Sequence, residues 1–279
     1  RVSFCMSTPY KQVIALHSNP RSGSTWLGQL LDSAPSVRFK YQPLKSRTFH
    51  GRINDSSRPE EVRRFFADLY HHEDDYLDQN IHKDQGIVPR FKVKEQNPDT
   101  LVFKHVRYHY LVPFFLEHFE EVKVIGIVRH PGAYLNSWRK APKEFLAGWD
   151  FDEEWYFAPS YNRYRSGEYY GFNRWKEVAS MFLRMRAWYP ERFHLLRYEH
   201  LVAAPREKLG EVFEFCGLPL TSQTLRFLEE STHKTVQDDY SVYRGNKNVR
   251  DWENELPIAI QKQIENELQG SALEQFLHY

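Results

Sequence analysis

Cysteine is nearly missing from this 279-residue chain. Its two cysteines, Cys5 and Cys216, are too few for a disulfide framework, and Cys216 lies inside the apolar segment "VFEFCGLPL", where a buried thiol is expected. A reducing compartment is therefore expected. Long apolar runs are missing as well. No stretch approaches the roughly 18 apolar residues of a membrane span, and the first residues lack a signal-like apolar region, so a cytoplasmic location is expected before a lumenal domain cut from an anchor. Charge of one sign is also lacking, since 38 basic residues face 37 acidic ones. No global field then selects nucleic acid, and an anionic ligand has to be held by a local cluster. Internal repeats and low-complexity tracts are absent, and so is the Gly-Lys-Ser/Thr ending of a nucleotide P-loop.

What is present is alternation. The apolar runs "QVIALH" (12–17), "TLVFKH" (100–105), "KVIGIVRH" (123–130) and "FHLLRY" (193–198) read as buried parallel strands. Helical patterns fall at 25–32, 59–70, 111–119, 132–139, 175–189, 206–216 and 258–269. Such βαβ order predicts an α/β fold of three layers, a central parallel sheet flanked by helices, with ligands beyond the carboxyl ends of the strands. One domain over 1–279 is expected, with variable connections near 71–99 and 141–174.

Polar residues collect at those strand ends. The first strand runs into Ser18-Asn19-Pro20-Arg21, the second into Lys104-His105 and the third into Arg129-His130. Three cations at one sheet edge suit an anion. In "NPRSGSTW", Gly23 permits a tight turn, the following helix start offers free N–H groups, and Ser22, Ser24 and Thr25 add hydroxyls. Arg21 supplies a permanent charge. An ordinary Ser/Thr-rich N-cap is the plain alternative.

On these residues the chain resembles the sulfotransferases that use 3′-phosphoadenosine 5′-phosphosulfate (PAPS), which leave adenosine 3′,5′-bisphosphate (PAP). "PRSGSTW" is similar to their 5′-phosphosulfate loop. The resemblance implies a P-loop NTPase-like fold, Arg21 at the 5′-phosphate and bridging oxygen, Ser22 to Thr25 around the phosphate, and Trp26 on adenine. "VIGIVRHPGAYLNSW" resembles the 3′-phosphate motif, with Arg129 and Ser137 as its contacts. "RYEHL" implies that Tyr198 reaches adenine. "YRGNKNVRDW" is a looser match to the loop over the 3′-phosphate, with Arg244 and Gly245 in that role and Lys247 or Arg250 able to share it.

Sulfuryl transfer explains the cations without a metal, because charge spreads over the moving group and the leaving phosphate. Arg21 and Lys104 would stabilise that charge, and an acceptor hydroxyl needs a general base. Here the chain departs from the cytosolic enzymes. Where they carry Lys-Thr-His it reads Lys104-His105-Val106, closer to carbohydrate and bacterial members with Lys-x-Val-Arg. His105 is the first expectation for the base and His109 the second. The segment "KYQPL" has Gln42 where carbohydrate members often carry a glutamate, so Gln42 is expected to orient the acceptor, and His50 on the same loop is a weaker contender for the base.

Trp149, Trp155, Tyr156, Tyr161 and Tyr164, interleaved with acids, suit stacking on sugar faces or packing of a lid. The expectation is a bacterial-type enzyme that sulfates a carbohydrate hydroxyl, with a small-molecule alcohol as the nearest alternative. A magnesium-dependent kinase and a non-catalytic glycan-binding protein are the competing classes.

Overall fold

A computed structural model describes residues 8–163, 165, 167–243, 245 and 248–279. Its sheet is all parallel and has five strands, β1 (Gln12–Ser18), β2 (Val37–Tyr41), β3 (Thr100–His105), β4 (Val122–Val128) and β5 (Phe193–Arg197), in the order β2-β3-β1-β4-β5. Four of them are the expected apolar runs. β2 is an addition that the sequence pattern does not show.

Between β1 and β3 come α1 (Ser24–Asp32), α2 (Pro59–His71) and α3 (Asn80–Asp84), followed by α4 (Leu111–His118) before β4. After β4 run α5 (Pro131–Arg139), α6 (Phe151–Glu154), α7 (Pro159–Asn162) and α8 (Gly171–Trp188). Beyond β5 lie α9 (Tyr198–Ala203), α10 (Pro205–Cys216), α11 (Ser222–His233), α12 (Trp252–Glu255) and α13 (Ile258–Leu268). Among the described residues no helix is long and apolar enough to cross a membrane.

The three central strands, β1, β3 and β4, are apolar on both faces because helices cover both. Val13, Ala15, Leu101, Phe103 and Val124 pack under Phe66, Phe115 and Phe182 of α2, α4 and α8. Ile14, Leu16, Val102, Ile125 and Ile127 face the other way, toward Leu27 and Leu31 of α1 and Val212 of α10. Cys216 belongs to this second core, and burial pushes its thiol up to about 12.

This arrangement puts β1 at the centre with β3 and β4 on either side, so the carboxyl ends of three strands open onto one crevice. Strand alternation matters at that edge. In β3, Phe103 and His105 share one face and Lys104 takes the other.

Candidate functional site

The crevice is organised by the turn from β1 into α1. Ser18 and Asn19 are buried, Arg21 stands at φ 60° and Gly23 at φ 85°. A left-handed arginine is sterically costly, so the turn is fixed by its surroundings. Gly23 is required twice over, because a Cβ there would lie 2.4 Å from the Tyr198 ring. α1 begins with no side-chain cap and no acidic residue in its first turn. Its leading N–H groups and positive dipole end therefore face the crevice open to an anion.

Cations converge on that turn. Arg129 Nη1 donates to the carbonyl of Arg21 at 2.7 Å, its guanidinium lies 4.8 Å from the Tyr198 ring centroid, and its Nε is buried without a partner. Arg21 Nε donates to Ser137 Oγ at 3.4 Å, so the two motifs meet across α5. Lys104 Nζ donates to Thr25 Oγ1 at 2.7 Å. Burial, opposed by the charge of Glu144, holds the Lys104 ammonium down at about 7. Proline at the start of α5 and the His130 ring, which accepts from the Gly132 N–H at 3.1 Å, set the helix that carries Ser137. Trp26 donates through its indole to Ser231 of α11 at 2.8 Å.

Beside the cation cluster lies a second one, built around Arg107. This side chain is 4% exposed and donates to Glu168 at 2.6 Å, to Gln42 Oε1 at 2.8 Å, and to the hydroxyls of Tyr161 and Tyr170 at 3.3 Å each. Gln42 itself is left-handed at φ 43°. Tyr161 lies on Tyr170 with centroids 3.9 Å apart, and Trp149 meets the Tyr161 edge at 6.0 Å. Trp155 is buried against Phe172, so it packs the connection down and offers no face to a sugar. His50 is exposed, its ring 3.2 Å from the Leu44 carbonyl.

The histidines expected as bases are elsewhere. His105 shares the register of His17 on the face away from Lys104, and both of its ring nitrogens are buried without partners. His109 Nδ1 meets His17 Nδ1 at 3.0 Å, and its other nitrogen is likewise buried. Burial drives both imidazoles well below their ordinary range, so the trio is neutral. In this arrangement neither nitrogen opens to a hydroxyl in the crevice.

Two contributors carry no sequence pattern. The segment before Val242 crosses the mouth, where the Asp239 carbonyl accepts from Arg21 Nη2 at 2.9 Å and the Tyr240 ring lies 5.0 Å from its guanidinium carbon. Glu144, on the connection after α5, places Oε1 3.9 Å from Arg21 Nη1. Gly245 is left-handed at φ 56°, its N–H bonded to the Lys234 carbonyl. Arg244, Lys247 and Tyr164 lie outside the described residues.

Known proteins resemble both the sequence and the fold. The mouse and Tetronarce californica proteins named carbohydrate sulfotransferase 3 are 31% identical over 91 residues and 24% over 158. Those alignments cover 31% and 52% of this chain but only 19% and 33% of the relatives. The chain thus spans about a third or less of their length. Among solved structures, mouse sulfotransferase SULT7A1 complexed with PAP has a TM-score of 0.54 at 13% identity, covering 96% of this chain and 87% of that one. Retinol dehydratase in complex with retinol and PAP gives 0.56 at 14%, covering 95% and 83%. This likeness is one of fold. The model of the Sulfotransferase family matches residues 14–222, from β1 to the first residue of α11, and the chain belongs to that family.

Proposed function

We propose that the chain transfers the sulfuryl group of PAPS to a hydroxyl of a carbohydrate acceptor. The observation that carries this reading is the gathering of Arg21, Lys104 and Arg129, from three strand ends, around the uncapped start of α1. When bound, PAPS supplies an activated sulfuryl group on a phosphate leaving group. The residues present fit it. Open N–H groups at the start of α1 suit the 5′-phosphate, and the unpartnered Arg129 Nε and the Ser137 hydroxyl suit the 3′-phosphate. Trp26 and Tyr198 flank the turn as aromatic platforms for adenine. Arg21 and Lys104 hold positive charge where the phosphosulfate bridge would break, the stabilisation such transfer chemistry needs most.

For the acceptor, the support is the name of the curated relatives together with Gln42, Tyr161 and Trp149 around Arg107. Aromatic edges beside fixed amide and hydroxyl groups suit a sugar. His50 lies on the same loop at the rim.

Thermal unfolding with PAP and with AMP tests the cofactor, since a ligand at a hundred times its Kd stabilises by about 2.7 kcal/mol. PAP is expected to shift the midpoint far more than AMP. Equal shifts would overturn the 3′-phosphate site. Labelled PAPS with a panel of glycans and simple alcohols then tests the acceptor, and transfer confined to simple alcohols would replace the sugar.

A further inference from the structure

We propose that Glu144 is the general base that takes the proton of the acceptor hydroxyl, an assignment that rests on the sulfuryl-transfer reading above. Its backbone is pinned. The Glu144 N–H donates to the Ala141 carbonyl at 2.9 Å, and its own carbonyl accepts from the indole of fully buried Trp138 at 3.0 Å. From there the side chain reaches into the crevice between the two clusters. Oε1 lies 3.9 Å from Arg21 Nη1, and Oε2 accepts from the Tyr170 hydroxyl at 3.5 Å. Tyr170 also touches Arg107. One carboxylate therefore borders both the donor half and the acceptor half of the site.

The groups within its field come from every neighbouring element. They are Arg21 of the turn, Lys104 of β3, Tyr41 of β2, Lys45 just after it, Tyr134 of α5, Tyr170 before α8 and Tyr240 of the crossing segment. Of the rival bases, His50 is exposed with its ring against the Leu44 carbonyl, and the others are committed or closed off. Glu168 is tied to Arg107 at 2.6 Å, Gln42 has an amide where a carboxylate would be needed, and the nitrogens of His105 and His109 are buried. Glu144 is 20% exposed on its side chain and has only long contacts. A base must be reachable as well as basic.

The step balances without a redox partner. A lone pair of the acceptor oxygen forms the new O–S bond, the bridging S–O bond breaks with its electron pair leaving on the phosphate of PAP, and the hydroxyl proton goes to the Glu144 carboxylate.

Glu144→Gln keeps the shape and cannot take that proton. It is assayed with labelled PAPS and the glycan panel, and also with water as the acceptor, read as PAP release. The expected result is a fall in kcat of about 10²–10⁴-fold with PAP binding within about threefold of wild type by calorimetry. Glu144→Asp is expected to recover part of the rate. Retention of the rate in Glu144→Gln overturns the assignment, and so does loss of PAP binding, which would make the role structural. A wild type that fails to bind PAP, or binds it and transfers to nothing, overturns the sulfuryl-transfer reading instead.

Discussion

The Arg129 guanidinium donates to the carbonyl oxygen of Arg21 at 2.7 Å, so the cation at one strand end holds the turn that carries the cation of another. Arg21 needs that support, because its left-handed backbone at φ 60° costs a non-glycine residue about 1–2 kcal/mol. Arg129→Ala is therefore expected to weaken PAP binding by more than one phosphate contact, about 2–5 kcal/mol. Arg129→Lys restores the charge but not the fork that reaches both carbonyl and ligand. Calorimetry should find the lysine variant still at least tenfold weaker than wild type, a deficit of about 1.4 kcal/mol. A lysine variant within threefold would remove the positioning role.

Lys104 makes cofactor binding pH-dependent. Burial sets its ammonium near 7 in the free protein, and a phosphate beside it favours the charged form and raises it. The affinity for PAP should therefore fall as pH rises above 7, by up to tenfold per unit, until the bound-state value is passed. Binding at pH 8 should take up a proton, seen as a dependence of the calorimetric heat on buffer ionisation. Lys104→Met should lower the affinity and abolish the dependence. A wild type with no proton uptake at pH 8 would show that Lys104 is already charged.

Much of this was legible in the sequence, and the reasons for the remainder are physical. Three strands were readable because burial on both faces makes β1, β3 and β4 apolar, and the half-buried β5 was readable from its short run of Phe193, Leu195 and Leu196. β2 was not, since Arg38 and Lys40 interrupt it. Lys40 is nonetheless buried, its charge met by Asp78 at 2.7 Å, a partner far off in sequence. The turn at Arg21 was readable because its residues are contiguous in sequence. Lys104 and His105 look like neighbours in sequence, yet strand alternation separates them onto opposite faces. Glu144 and Asp239 had no periodic or motif context, because only the folded chain brings them to Arg21.

Arg107 binds the acceptor side together more than it binds a ligand. Its four partners take nearly all of its donors, and only a planar fork can serve them at once. Arg107→Met leaves the half-buried Glu168 carboxylate without its partner, which is expected to cost about 3–5 kcal/mol in urea unfolding. Arg107→Lys should recover only part of that. PAP affinity should change little in either variant, since Arg21, Lys104 and Arg129 are untouched. Stability equal to wild type in Arg107→Met would show that the cluster contributes nothing net.

The buried histidines should make the fold acid-sensitive. Burial holds His17 and His130 at about 3 and drives His105 and His109 well below their ordinary range, so all four are neutral in the folded chain. Their folded values lie below the unfolded value of about 6.5, and the unfolded chain therefore binds more protons as pH falls. Stability is complete above about 6.5 and is lost progressively toward 3, each histidine steepening the loss by about 1.4 kcal/mol per pH unit. His105 has no hydrogen bond to lose, and its ring sits among those of His17, Phe103 and Tyr108. His105→Phe should therefore unfold with a shallower pH slope between 6 and 5, measured by urea titration at each pH. An unchanged slope would mean that His105 does not titrate on unfolding in that range. The same variant separates the two candidate bases, because loss of transfer with PAP binding intact would return the proton to His105 and take it from Glu144.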